Sequence, residues 1–161
     1  MRIIKAKVEQ IDEMMAIYSQ AIKFMAANGN PTQWVEGYPS REMILGDIES
    51  GHLHLYINDD EKLAAIFCYY VGEDPTYQTI YNGAWLNDES YGVLHRIAST
   101  GIERGVADRC IEWCFAQHPN MRIDTHKDNN AMLAAIRRNG FKPCGMIICC
   151  IGTPRLAFQK I

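Results

Sequence analysis

Along the chain the apolar positions change period several times, and each change marks an element. Residues 2 to 8, RIIKAKV, alternate as an opening strand does. From Glu9 to Asn28 the spacing lengthens. Ile11, Met14, Met15, Tyr18, Ala21, Ile22 and Met25 recur at three- and four-residue steps, one face of a long amphipathic helix closed by Asn28-Gly29-Asn30-Pro31. A shorter helix is expected after Ser40, a good N-cap, as far as Gly51. The runs HLHLYIN (52–58) and KLAAIFCYYV (62–71), parted by the polar Asp59-Asp60-Glu61, read as a hairpin. An irregular stretch rich in aromatics follows from 72 to 91. GVLHRIAS (92–99) is strand-like again, with a helix after it to about Gln117, and MRIDTH (121–126) is another strand. Asp128 or Asn129 then caps a helix through Asn139, which Gly140 stops. CGMIICC and PRLAFQK end the chain as two strands split by Gly152-Thr153-Pro154.

The order β-α-α-β-β-β-α-β-α-β-β belongs to the mixed α/β class. Its strand-helix-strand unit at 92–126 implies a locally parallel pair inside a largely antiparallel sheet. No repeat or linker divides the 161 residues, so one domain over 1–161 is expected. Net charge is −3 and basic residues do not cluster, which argues against a nucleic-acid partner. No apolar run reaches membrane-spanning length, and the chain opens without an apolar signal core, so a cytoplasmic protein is expected. That compartment keeps thiols reduced. Cys68, Cys110, Cys114, Cys144, Cys149 and Cys150 therefore read as small core residues rather than disulfides, and no metal-ligand spacing is present.

Candidate chemistry gathers in a few places. His95 lies in the strand at 92–99, where alternation would put it on one face with Val93, Ile97 and Ser99, and an imidazole suits general-base work near neutral pH. Asp124, Thr125 and His126 close the strand at 121–126, at the sheet edge where ligands collect in open α/β folds. His52 and His54 alternate on an early strand and are expected to face solvent. Trp34 and Tyr38, from QWVEGYP, join Tyr69, Tyr70, Tyr77, Tyr81 and Trp85 as an aromatic set. With Glu36 or Asp88 at its mouth, such a slot would suit a cationic amine. Gly105 and Ala107 sit where a strand hands over to a helix, and small residues there let a phosphate approach the unpaired N–H groups of a helix start. Arg104, and Arg109 from the next turn, can add charge-assisted bonds.

Two stretches, in this order of elements, resemble the GNAT superfamily of acyl-CoA N-acyltransferases over essentially the whole chain. The family's Arg/Gln-x-x-Gly-x-Gly/Ala loop falls on Ile102-Glu103-Arg104-Gly105-Val106-Ala107. Its "Asn … Leu-Gly-Phe" segment falls on Asn129 and Asn139-Gly140-Phe141. The resemblance implies a central mixed sheet with a V-shaped parallel opening between strands four and five, flanked by about four helices. It implies acetyl-CoA as co-substrate, with no metal, held by Ile97, Ala98, Ser99, Arg104, Gly105, Val106, Ala107 and Asn129. It also implies direct attack by a small-molecule primary amine, with His95 as base and Trp34, Tyr38, Tyr69, Trp85, Thr125 and His126 about the acceptor. Two departures stand out: Ile102 replaces the motif's Arg or Gln, and Ile136 holds the place of a Tyr that protonates the departing thiolate. The alternative is a catalytically weak or inactive domain that binds CoA as a sensor, and a less related possibility is another phosphate-binding α/β protein. A monomer or homodimer is expected.

Overall fold

Strand β1 (Arg2–Lys5) is shorter than its alternation predicts. The Lys7 N–H bonds the Gln10 side chain instead of a neighbouring strand, and a 3-10 turn over Val8–Gln10 carries the chain off the sheet. The structure, a computed structural model, describes residues 1–161. Helix α1 (Ile11–Ala27) follows and buries Met14, Ile17 and Tyr18; α2 (Arg41–Glu49) is capped by the Ser40 hydroxyl, which accepts from the Met43 N–H at 3.1 Å. Then come β2 (Leu53–Ile57), β3 (Leu63–Val71), β4 (Gly92–Ser99), α3 (Val106–Gln117), β5 (Met121–Thr125), α4 (Asn130–Arg138), β6 (Lys142–Ile148) and β7 (Pro154–Lys160). They form one seven-stranded sheet in the order β1-β2-β3-β4-β5-β7-β6, and every pair is antiparallel except β4 with β5.

That parallel pair is brief. Only Gly92↔Met121 and Val93↔Arg122 are in register, and beyond them the strands part. The cause lies in β4. Opposite β3 it pairs His95 with Cys68 and Ala98 with Ile66, so two residues, Arg96 and Ile97, face the single Phe67. Such a bulge bends a strand and resets its faces. Arg96 takes φ +51, a left-handed conformation that a side chain adopts at a cost. It is held there by the Tyr18 hydroxyl on its carbonyl (3.0 Å) and by Asp47, which accepts from its Nε at 3.1 Å and Nη2 at 2.6 Å.

The bulge also corrects the alternation. His95 shares a face with Val93 as expected, but Ile97 packs with Leu94 on the opposite face, against α3 and α4. That second face carries the largest core, with Phe67, Ile111, Met121 and Ile136 fully buried. The first face is shared by α1 and α2 at one end and by the 72–91 segment at the other.

The 72–91 segment, irregular as anticipated, is pinned to the sheet. Tyr81 and Met146 form an isolated bridge, with N···O distances of 2.8 and 2.9 Å. Beside it Gly83 lies directly on the Cys144 carbonyl, leaving no room for a Cβ. Near its start Asp74 caps a 3-10 turn at Pro75–Tyr77. His54 is buried rather than solvent-facing, ringed by Phe67, Tyr69 and Trp113 at centroid distances of 5.3 to 6.2 Å. All six cysteines are free. β6 ends at Ile148, so Cys149 and Cys150 lie in a turn, half-buried and exposed respectively, not in the core as the apolar run predicted. No helix is long and apolar enough to cross a membrane.

Gly83→Ala is therefore expected to destabilise the fold by about 1–3 kcal/mol through backbone overlap. Gly46→Ala, in open space inside α2, should stabilise it by roughly 0.5–1 kcal/mol. Urea unfolding of the two variants measures both, and equal midpoints would contradict this account of the segment.

Candidate active site

The parting of β4 from β5 leaves His95 and Asp124 facing each other across the mouth of the opening. Asp74, brought down by the 72–91 segment, completes the arrangement. His95 Nε2 lies 2.6 Å from Asp74 Oδ2, and Nδ1 lies 3.5 Å from Asp124 Oδ1, beyond hydrogen-bond range. Asp74 is almost wholly buried and fully bonded: Oδ1 accepts the Thr76 N–H and hydroxyl at 2.7 and 2.6 Å, and Oδ2 accepts the Tyr70 hydroxyl at 2.7 Å. Burial alone would raise its pKa. The bond and charge of His95, with the bonds from Thr76 and Tyr70, outweigh that and hold the carboxyl well below its usual range. Tyr77 donates to Asp124 at 2.7 Å, and burial first, then Asp124, pushes its phenol far up, so it stays a donor. An ionised Asp74 that accepts from Nε2 places the remaining ring lone pair on Nδ1, where the cavity lies.

Two cavities meet here. The larger, about 550 Å³, runs along the first face and is lined by Trp34, Tyr38, Asp47, Tyr70, His95 and Arg155 among others. The second, about 320 Å³, passes between α1 and the starts of α3 and α4, with Phe24, Ile97, Val106 and Met132 giving it apolar walls. Met25, Trp34, Ile97, Asn129 and Met132 border both. Asn129 caps α4 by accepting the Met132 N–H at 3.1 Å, and its amide donates to Gln33 at 2.8 Å.

The smaller cavity ends at the α3 N-terminus. Gly105 is the N-cap there at φ +75, in the left-handed region that favours glycine. No backbone N–H from Ile102 to Asp108 donates a hydrogen bond within the protein. A row of free donors at the positive end of a helix is an anion cradle. Ser99 and Ala107 line the cavity, while Arg104 and Ile102 stand exposed beside the loop. Arg109 is not available to it: it donates to the Tyr56 hydroxyl at 2.9 Å and pairs with Glu103.

Comparison with known proteins decides the family. No family model and no curated protein matches the chain. Among solved structures, a GNAT-family acetyltransferase from Streptococcus agalactiae 2603 is 33% identical, with 99% of this chain and 94% of that one covered at a TM-score of 0.88. The chain belongs to the GNAT family of acetyltransferases. A GNAT-family acetyltransferase from Listeria monocytogenes (17% identity, 99% and 93% covered, TM-score 0.74) and a putative acetyltransferase from Staphylococcus aureus MU50 (16%, 99% and 98%, 0.70) share its fold.

Within this GNAT fold several sequence-derived site residues lie elsewhere. Tyr69 points to the α3 face, its ring 5.8 Å from Trp113, because β3 alternation gives the cavity to Tyr70 instead. Trp85 lines neither cavity; its indole donates to the Tyr77 carbonyl at 2.9 Å and its ring lies tilted against Tyr77, 5.2 Å between centroids, propping the residue that bonds Asp124. His126 is also outside both, 3.4 Å from Thr32, with Nδ1 accepting the Asp128 N–H; burial first, then Arg155, lowers its pKa. Neither Glu36 nor Asp88 borders either of these cavities; Asp47, Glu73, Asp74 and Asp124 border the larger one. Trp34, Tyr38 and Thr125 do line the larger one. Ile136 is fully buried between α3 and α4 and has no polar atom to offer. Sequence reading missed Asp74, whose Asp-Pro-Thr capping signature was the available signal, and Arg155, which carried none.

Because the folded state holds Asp74 ionised well below its ordinary value of 3.8, its stabilising contribution is full above that value and is lost progressively only as pH falls below it, towards the much lower folded value. Asp74→Asn should therefore lower the urea midpoint most at neutral pH and by progressively less below pH 3.8, with part of the difference still present at about pH 3. A difference that stays constant with pH would overturn this.

Proposed function

We propose that this GNAT-family protein transfers an acetyl group from acetyl-CoA to the primary amine of a small, amino-acid-like acceptor by direct attack. The observation that carries the reading is the Asp74–His95 pair in the wall of the larger cavity, two residues along β4 from Ile97, which borders both cavities, with Nδ1 unbonded and Asp124 opposite. Acetyl-CoA is assigned to the smaller cavity. Ile97, Ala98 and Ser99 line its strand side, Asn129 its inner end, and the free N–H groups about Arg104, Gly105, Val106 and Ala107 receive the pyrophosphate. The acceptor is assigned to the larger cavity, among Trp34, Tyr38, Tyr70 and Thr125.

The carboxylates Asp74, Asp124 and Glu73 draw in a protonated amine. His95 Nδ1 takes its proton, and the imidazolium that forms lies between Asp74 and Asp124, which stabilise it. Asp74 acts as a positioning residue, since it fixes the ring and its tautomer. The nitrogen–acyl carbon bond forms, the nitrogen loses its second proton to solvent as the carbon–sulfur bond breaks, and CoA leaves as a thiol after taking up a proton. Ile136 supplies none of that proton, so His95 or solvent must. The same absence favours a second reading, in which the domain binds CoA thioesters and turns them over slowly or not at all.

Thiol release from acetyl-CoA against a panel of primary amines separates the two. His95→Gln should lower kcat by about 10²–10⁴-fold with acetyl-CoA affinity retained. Gly105→Glu should weaken acetyl-CoA binding, measured by calorimetry, at least about tenfold through obstruction and charge. Binding without release for every amine would leave the second reading standing. Failure of acetyl-CoA to bind the folded protein would remove both.

A further inference from the structure

Arg155 is a buried cation without a counter-ion. The residue is 4% exposed and borders the larger cavity, yet it forms no ion pair with any carboxylate. Its Nη1 donates to the Thr153 hydroxyl at 2.6 Å and the Pro154 carbonyl at 3.2 Å, and its Nη2 donates to the Gln33 carbonyl. Nε has no partner within the protein. A desolvated guanidinium is costly unless an anion or a full set of acceptors meets it. Here neutral oxygens occupy one side and leave the Nε edge, the one that grips a carboxylate side-on, without an acceptor. Thr125 borders the same cavity, is 1% exposed, and its hydroxyl has no hydrogen-bond partner.

The placement of charges gives this meaning. Asp124 pairs with Ala157 across β5 and β7, so Arg155 lies diagonal to Asp124 on the same sheet face, roughly 7–8 Å away between Cα atoms. No ion pair joins them. At the Asp124 end two carboxylates share one imidazole, whereas at the other end Arg155 stands alone. Asp47, a half-buried carboxylate on the same cavity, is already matched by Arg96. One wall of the cavity thus offers a cation site and an anion site a few ångströms apart, the complement of a zwitterion.

We infer that the acceptor is an amino acid whose carboxylate is bound by Arg155, while its amine faces His95 and Asp124. The inference rests on the acetyl-transfer reading for the fate of the amine but not for the recognition. Arg155 then sets specificity: amines that lack a carboxylate leave the guanidinium buried and unpaired, and are rejected for that reason.

The test uses matched ligands, each L-amino acid beside its own primary carboxamide, titrated calorimetrically into the CoA-saturated protein. Thiol release from acetyl-CoA is followed in parallel. For at least one pair the acid should bind about tenfold or more tightly than the amide. Arg155→Gln should bring that ratio close to one, and Arg155→Lys should keep part of it because the charge remains. A cooperative thermal transition in each variant excludes misfolding, which matters because Arg155 also ties down Gln33 and Thr153. Equal binding of acid and amide by the native protein, a preference that survives Arg155→Gln, or no binding by any pair would each overturn the inference. An Arg155-dependent preference for the acid without thiol release would sustain it and sink the acetyl-transfer reading instead.

Discussion

Everything at this site depends on one extra residue in β4. A regular strand would stay paired with β5 and close the sheet, and no cavity would pass from one face to the other. Arg96 and Ile97 opposite Phe67 prevent that. The strand bends, the parallel ladder stops after Val93, and the edge beyond it is free to border both cavities. A left-handed non-glycine residue is not self-sustaining, and the surroundings hold it from two directions. Asp47 from α2 grips the guanidinium, and Tyr18 from α1 grips the carbonyl. The two helices on that face thereby sustain the bend that makes the site.

The same bend explains which parts of the molecule were legible beforehand. Element types followed from periodicity and capping because those are local properties: the Ser40 and Asn129 caps stand where their side chains require, and Gly105 where the backbone turns left-handed. The faces of β4 did not follow. Alternation counts residues, and a bulge miscounts them without leaving a turn residue to announce it, so Ile97 was assigned to the wrong side. The end of β6 was misjudged for a related reason. Cys149 and Cys150 continue an apolar run, but Thr153 closes a turn by accepting the Cys149 N–H at 3.0 Å, and the thiols leave the sheet.

Site residues divide along the same line. His95 and Thr125 were legible because strands carry them, and Gly105 because a helix start demands a small residue. Asp74 depends on how the 72–91 segment folds back over the sheet, a long-range matter to which the Tyr81–Met146 bridge belongs, whereas Tyr70 takes its place from β3 alternation. Tyr69 and Trp85 were drawn into the site by chemistry alone. Their aromatic character fits an amine pocket, but one belongs to the α3 core and the other to the scaffold behind Tyr77. Arg155 could be recognised only after its surroundings were seen, since an arginine on a terminal strand looks like any solvated charge.

The side-chain oxygen of Gln33 receives the amides of Asn30 and Asn129, each at 2.8 Å, and the carbonyl of the same residue receives Arg155. The α1–α2 connection is thus fastened at a single residue to the start of α4 on one side and to β7 on the other. One residue of a connection that carries no helix or strand joins three stretches of chain far apart in sequence.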